Sequence, residues 1–391
     1  MASGLNRSAK ASAIILAAGL SSRMGALKPL LPLGKSTVLG QCIGVLQEAG
    51  IVDILVVTGH RAEEVAAEAR AHGARPVHNA GFLQGMYSSI RQGVQMLDAA
   101  RAAVFLLPVD MPLIRVGTFR LLAECLRDSA IQVAHPVFQG ERGHPLCIRT
   151  KLLHQLTQAE ETSAGLRPLL AGHEQAHPAQ VCEVLVPDAN ILFDLDTPDA
   201  YRQAGILYEE REYPSAQEAE VIVRHIHPIP AKGLAHGHMV GEVAARLAIA
   251  MNRQQGSSLN AALCHTCGLL HDLAKGQPRH EKTGALWLGD LGFPKAAAIV
   301  AAHKDLDWQE DMAITERELV HLADKLVRGR YLLPIDRRFG EKLALYRHDA
   351  EAQAAIRERH ALAKRLAEAV EKQCGQRLDT LCRDLEQVLP C

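Results

Sequence analysis

Two groups of side chains in this 391-residue chain have the types and spacing that phosphate chemistry needs. The first lies in Leu16-Ala17-Ala18-Gly19-Leu20-Ser21-Ser22-Arg23-Met24-Gly25-Ala26-Leu27-Lys28, directly after an apolar, β-rich run. A glycine-bearing loop at that place lets backbone N–H groups approach a triphosphate. Arg23 and Lys28 would neutralise its oxygens, and the small Ala17 and Ala18 leave room for base and ribose. Gly34-Lys35-Ser36 only imitates a Walker A loop, because Pro29 stands where that motif requires glycine. A turn of this kind is, on its own, equally a surface turn with cations. Its partner is Leu106-Leu107-Pro108-Val109-Asp110-Met111-Pro112, which sets a carboxylate just beyond the carboxyl end of an apolar strand, where open α/β sheets bind ligands. Alone, Asp110 could as well cap a helix. Together the two segments favour Asp110 as a magnesium ligand at the α-phosphate.

The second group is helical. Leu259 to Lys275 carries Leu259, Leu263, Cys267, Leu270 and Ala274 on one face and is expected to end at Gly276, with His271-Asp272 in its last turn. His236 precedes it; His280, His303 and Asp324 follow. Imidazole nitrogens and carboxylate oxygens are the ligand set of a hydrolytic transition-metal or magnesium site. With 19 histidines in the chain, any one of them is more often a solvated or core side chain, so the spacing carries the argument. Cys264-His265-Thr266-Cys267 holds a lone C-x-x-C inside the apolar face and is assigned to packing, since no second pair follows. His321, one turn before Asp324, is read as a neighbour and not a ligand.

These residues need elements to hold them. From Ala13 to about Tyr201, β-rich runs (Ala13 to Ala17, Ile51 to Thr58, Val104 to Leu107, Ile131 to Pro136) alternate with helical stretches (Thr37 to Ala49, Ala62 to Ala71, Thr118 to Asp128). That alternation predicts a parallel sheet in a three-layer α/β/α, Rossmann-like sandwich. After Ala204 the texture turns charged and proline-punctuated, and from about Ala216 nearly every segment reads as helix, so the second domain is expected to be all-α. The boundaries are placed at 1–207, 208–340 and 341–391, the last a helical extension rich in Ala, Glu, Lys and Arg and without chemistry. A formal net charge of −1 gives no general attraction to nucleic acid or anionic membranes. The nine cysteines follow no framework of spacings, so no disulfide is expected; the start is not read as a signal peptide and no stretch is read as a membrane span, so a cytoplasmic location is expected.

The first half of the chain resembles the molybdenum cofactor nucleotidyltransferases of the nucleotide-diphospho-sugar transferase fold. The resemblance rests on the Leu-Ala-Ala-Gly to Lys28 signature and on the segment around Asp110. Three further patches add to it: Asn79 with Gly85, Ser88 and Ser89; Gly143-His144-Pro145; and Asp194-Leu195-Asp196-Thr197-Pro198. It implies a nucleotide site of Leu16, Ala17, Ala18, Gly19, Arg23, Gly25, Lys28, Thr58, Asn79, Gly85 and Ser88. It also implies a pterin-phosphate entry near His144, and a second magnesium ligand from Asp194 or Asp196. Ala17-Ala18-Gly19 is similar to the cytidylyl branch, whereas Met24 stands where that branch often carries Phe, so CTP is preferred and GTP stays open. The implied reaction is attack of a molybdopterin phosphate on the α-phosphorus of CTP with release of pyrophosphate; a sugar- or alcohol-phosphate acceptor is the alternative. A molybdoenzyme or its maturation factor would be a natural protein partner.

From His236 to Asp324 the chain resembles the HD superfamily of metal-dependent phosphohydrolases. The pattern implies His236, His271, Asp272 and Asp324 as primary ligands of Mn2+, Fe2+ or Ni2+, with His271 and Asp272 catalytic. His280 and His303 would bind substrate phosphate or a second metal. His238 competes with His236, but His236 sets Val240, Val243, Ala244 and Leu247 at the spacing of the family's first helix. A nucleotide-sensing module without catalysis fits the same ligands.

Overall fold

The first run, β1 (Ala11–Ala17), is buried over nearly its whole length, as expected of a strand covered on both faces. It opens a computed structural model that describes residues 11–20, 24–98, 100–158, 165–382 and 385; Arg23, with Ser21 and Ser22, lies outside the described residues. The chain divides into two units, residues 1–211 and 212–391.

In the first unit β1 is followed by a hairpin of β2 (Pro32–Leu33) and β3 (Ser36–Thr37), then α1 (Val38–Glu48), β4 (Asp53–Thr58), α2 (Ala62–Ala71), β5 (Arg75–His78), α3 (Met86–Gln95) and β6 (Ala103–Pro108). α4 (Val116–Cys125), β7 (Val133–Phe138), β8 (Glu141–Arg142), β9 (Leu146–Arg149), α5 (Thr150–Gln158), α6 (Leu166–Ala176), β10 (Val181–Leu185) and α7 (Pro198–Glu210) complete it. The sheet order is β10-β7-β9-β6-β1-β4-β5, with β8 on β7. Side chains alternate between two cores. Ala13, Ile15, Ile54, Val56, Phe105 and Leu107 face α1, α4 and α7, while Ile14, Leu55, Val57, Val104 and Leu106 face α3, α5 and α6. This is the three-layer sandwich.

Two expectations are corrected. The sheet is mixed and not parallel throughout, because β9 runs antiparallel to β6 and to β7. The link from β7 through β8 to β9 is too short for a crossover, and a short link can join only antiparallel neighbours. Cys125, at the end of α4, and Cys182, in β10, are joined as a disulfide. Spacing could not announce it, since α4 and β10 meet only once β10 has paired with β7. Strand β5, only four residues and containing Pro76, sits at a sheet edge where proline is tolerated, and its periodicity is too short to read.

The parallel register aligns Ala17 with Thr58 and Leu16 with Pro108. The loops after β1, β4 and β6 therefore leave the sheet at one rim.

The second unit is helical: α8 (Ala216–Val221), α9 (Ala231–Gln255), α10 (Ala261–Leu270), α11 (His280–Leu291), α12 (Pro294–Ala301), α13 (Glu316–Leu326), a small hairpin of β11 (Val327–Arg328) and β12 (Tyr331–Leu332), α14 (Ile335–Leu345), α15 (Ala350–Cys374) and α16 (Leu378–Cys382). α9 buries His236, Val240, Val243, Ala244 and Leu247 along one stripe. It approaches α10 closely because Gly241 and Gly268 face each other; a Cβ on Gly268 would lie 2.5 Å from the Cα of Gly241. α10 stops at Leu270, earlier than the expected end at Gly276. From there Leu273 and Lys275 donate to the carbonyls of Leu270 and Asp272, a tighter turn in place of helix. His271 thus caps the helix and does not sit in its last turn. Among the described residues no helix is long and apolar enough to cross a membrane.

Candidate functional site

At the sheet rim Lys28 is almost wholly buried, and its ammonium lies 2.7 Å from Asp196 Oδ1 and 3.4 Å from Asp110 Oδ2. Two loops are thereby drawn together, and Leu195 N–H donating to the Asp110 carbonyl at 2.9 Å locks them. Asp194 is exposed, so of the two acids in that segment the structure gathers Asp196 with Asp110 and Lys28. A buried cation shared by two carboxylates marks a place built to hold positive charge. An all-oxygen donor pair at a sheet rim suits magnesium.

Around this triad Ala17 and Ala18 are buried, and nothing lies within 4 Å of where a Cβ on Gly19, Gly25 or Gly85 would stand, which leaves these backbones accessible. Leu16 pairs in register with Pro108, just before the Asp110 loop. Gly85 adopts φ +99° and caps α3, leaving the first N–H groups of that helix pointed away from its own carbonyls. Asn79 is spent on the loop itself: it donates to Ser88 at 2.9 Å and to Ser89 at 3.0 Å and accepts from Gly81 N–H. Thr58 is buried, and its hydroxyl donates to the Val77 carbonyl. Both side chains position the cradle through internal bonds. His144 donates its backbone N–H to Ile191, and Gly143 has no room for a Cβ, which would meet the Ile191 carbonyl at 2.3 Å. Burial pushes the His144 imidazole below its usual pKa against the pull of the Asp110 carboxylate.

Sequence reasoning passed over Asp188 and Arg115. Asp188 is buried and accepts from Arg115 N–H and Nη1, the Thr118 hydroxyl and Asn190 N–H. This network pins the segment leading to Asp196 against the start of α4. Nothing in the local pattern separates Asp188 from an ordinary turn aspartate; only its four donors do.

In the second unit the helices bring together His236, His271, Asp272, Asp324, His280 and His303. Asp324 Oδ1 lies 3.3 Å from His236 Nε2 and 3.7 Å from His271 Nε2, and Asp272 Oδ2 lies 3.5 Å from His271 Nε2. These separations are long for good hydrogen bonds and fit ligand atoms ranged around a cation. Ligand atoms of His236, His271 and Asp272 lie within 4.8 Å of one another, and so do those of Asp272, His280 and His303, so Asp272 belongs to both groups. His280 Nε2 and His303 Nε2 stand 3.2 Å apart. His238 turns away to Glu220, leaving His236 as the inward histidine.

Nδ1 of His271 bonds the Gly268 carbonyl and Nδ1 of His303 the Val300 carbonyl, each at 2.7 Å; in both rings Nε2 is left for a metal. Burial, helped by His271, pushes the His303 pKa down to about 4, and burial with Lys325 pushes that of His321 to about 3, so both rings stay neutral near pH 7. For His271 burial opposes the charge, but the Asp272 and Asp324 carboxylates outweigh it and raise the pKa. Two cations missed in the sequence brace Asp324: Lys325 donates to Oδ2 at 2.7 Å and Arg338, from α14, to Oδ1 at 3.2 Å. Cys264 and Cys267 are buried in α10, with thiol pKa values raised by burial, and pack.

Residues 13–179 match the family model of the MobA-like NTP transferase domain, and residues 233–329 that of the HD domain. The chain is 32% identical over 199 residues to the molybdenum cofactor cytidylyltransferase of Escherichia coli (strain K12), covering 50% of this chain and 96% of that protein. It is 30% identical over 138 residues to the bifunctional protein GlmU of Burkholderia ambifaria, covering 35% of this chain and 30% of GlmU. Among solved structures, Rv0371c from Mycobacterium tuberculosis H37Rv aligns at 26% identity and a TM-score of 0.43, over 51% of this chain and 99% of that one.

Proposed function

We infer the activity from one premise: this chain belongs to the MobA-like NTP transferase family, and an HD domain follows its transferase unit. The first unit transfers CMP from CTP to a molybdopterin phosphate. An oxygen of the acceptor phosphate attacks the α-phosphorus of CTP, the bond to the β-phosphate breaks, and pyrophosphate leaves. Magnesium held by Asp110 and Asp196 would neutralise the α-phosphate. Lys28 would move its charge from the two carboxylates to the triphosphate oxygens, Arg23 would add a second cation, and the small Ala17-Ala18-Gly19 turn would seat the nucleoside. Most of the acceleration then comes from positioning and charge neutralisation. The observation that carries this reading is the Asp110–Lys28–Asp196 triad at the rim. Pyrophosphate release measured with each NTP, with and without molybdopterin, tests it; release that does not depend on molybdopterin would move the acceptor to another phosphorylated compound.

The HD unit hydrolyses a phosphate ester at a centre made of His236, His271, Asp272 and Asp324, with His280 and His303 beside it. A divalent transition metal there would supply hydroxide at neutral pH. The supporting observation is the sharing of Asp272 between two ligand groups. A phosphoester screen with manganese, nickel and iron tests it; intact metal binding with no turnover would leave a sensor.

A further inference from the structure

The helices that follow the histidine–aspartate centre carry none of its six residues, yet a side chain from them touches it. Arg338, on α14, forks between two segments. Its Nη2 donates to Asp324 Oδ1 at 3.2 Å, and its Nη1 donates to the Val327 carbonyl just past α13. Both α14 and α15 lie beyond residues 233–329, which match the HD family model.

Neutralising Asp324 does not require this arginine, because the buried Lys325 already donates to Asp324 Oδ2 at 2.7 Å. A second cation on the other oxygen does something different. The Cβ–Cγ torsion of an aspartate is soft, so a carboxylate held at one oxygen can still turn about that bond. Held at both, its plane is set. Oδ1 is the oxygen that lies 3.3 Å from His236 Nε2 and 3.7 Å from His271 Nε2, so the plane set by Arg338 is the one that faces the ligand nitrogens. The Arg338 and Asp324 side chains are both nearly buried, and solvent screens the pair little.

Arg338 is itself held from the far side. Its neighbour Phe339 is buried with Ile356 and Ala363 of α15, and Ile335 and Leu343 pack around them, which gives the two helices a small core of their own. His360 of α15 stacks on the Phe339 ring, with centroids 4.9 Å apart and planes 16° from parallel. Its Nε2 lies 2.8 Å from Asp336 Oδ1, in the first turn of α14. Beside it Arg359 donates to Asp305 Oδ1 at 2.8 Å, two residues past His303. α15 therefore grips both the helix that bears Arg338 and the segment that follows His303.

We propose that α14 and α15 form a clamp on the metal centre, in which Arg338 is a positioning residue that orients the Asp324 carboxylate for the metal and the Phe339–His360 stack holds Arg338 in place. The proposal rests on the reading of Asp324 as a metal ligand, which metal binding by the parent protein tests separately.

Full-length protein stripped of metal is titrated with Mn2+ by calorimetry, and its Co2+ form is followed by visible absorption, which reports the ligand field and not the fold. Arg338→Gln should weaken Mn2+ binding about 10- to 100-fold, as loss of a ligand's hydrogen-bond partner does, and shift the Co2+ bands. Arg338→Lys, which keeps the charge, should recover part of that loss. His360→Ala touches no ligand, yet it should weaken binding about two- to tenfold, the worth of one ring stack, and move the Co2+ bands in the same direction as Arg338→Gln. Arg357→Ala is the control: it is exposed on α15, bonded to Gln353 of the same helix, and should bind as the parent does. Parental affinity and parental Co2+ bands in Arg338→Gln overturn the proposal. So does a His360→Ala protein that melts earlier yet binds Mn2+ like the parent, since α15 would then serve the fold alone. Should Arg338→Gln fail to fold, Arg338→Lys and His360→Ala decide by the same two readouts. A parent protein that takes up neither ion refutes the metal centre itself, and the clamp falls with it.

Discussion

Gly268→Ala should loosen the metal centre without touching a ligand. The added Cβ would lie 2.5 Å from Gly241 Cα and 2.6 Å from its N, both backbone atoms that no rotamer change can remove. Carbon atoms in contact sit about 3.5–4.0 Å apart, so α9 and α10 must part by about 1 Å. Overpacking of this kind costs about 1–3 kcal/mol. The helix propensity of alanine over glycine returns about 0.5–1 kcal/mol, leaving a net loss of about 0.5–2 kcal/mol. For a unit of this size that lowers the melting temperature of its transition by about 1–8 °C. The Gly268 carbonyl holds His271 Nδ1, so the displacement carries a ligand with it, while metal sites tolerate only about 0.2 Å. The affinity for Mn2+ should therefore fall about tenfold or more, comparable to losing an outer support of a ligand. Calorimetry with and without Mn2+ measures both effects. Gly340→Ala is the control: it is exposed within α14 with nothing near its Cβ position, and it should gain about 0.5–1 kcal/mol. If Gly268→Ala proves as stable as Gly340→Ala and binds Mn2+ as well as the parent, the close crossing does not set the ligand geometry.

Asp196→Ala should cut pyrophosphate release from CTP by about 100-fold or more, as loss of a transition-state charge partner does, with the fold retained. Asp194→Ala should stay near the parent rate, and equal losses in the two variants would defeat the choice between them. Counting metal by plasma mass spectrometry should show His280→Ala losing the ion shared with His303, whereas Asp272→Ala, which belongs to both ligand groups, loses both; an unchanged count in Asp272→Ala would refute the shared ligand. His135 and Glu174 are paired at 2.6 Å, and both pKa values are lowered, that of His135 first by burial. A depressed histidine contributes stability that is full above its unfolded pKa of about 6.5 and lost as pH falls further. The first unit should therefore melt at lower temperature below pH 6.5, and His135→Gln should flatten the upper part of that slope; an identical slope in the variant would assign the loss elsewhere.

Much of the fold is legible in the sequence. Alternating apolar runs mark β1, β4, β6 and β7, and the position of Asp110 just past β6 places it at the sheet rim, where it meets Lys28. The histidine spacing pointed to the six residues that the second unit gathers, because their helices are long and their apolar faces periodic. Four kinds of information were hidden. β9 has no pattern that reveals its direction, since direction depends on the short link before it. The Cys125–Cys182 pair depends on strand order. Asp188 and Arg115 owe their importance to burial, which identity does not disclose. Arg338 lies beyond the motif that ends at Asp324 and carries no signature of its own, yet it reaches Asp324 across 14 residues of sequence.

The two centres also differ in a way that bears on their ions. Asp110 and Asp196 present oxygen alone around the Lys28 ammonium, a donor set that suits a hard ion. In the second unit the donors are mostly imidazoles, two of which, His271 and His303, have Nδ1 bonded to a backbone carbonyl, and Lys325 and Arg338 brace Asp324. Such a set is nitrogen-rich, which favours a transition metal. Under the proposed function the chain would pair a magnesium site with a transition-metal centre, and the difference would follow from whether a lysine or histidines surround the carboxylates.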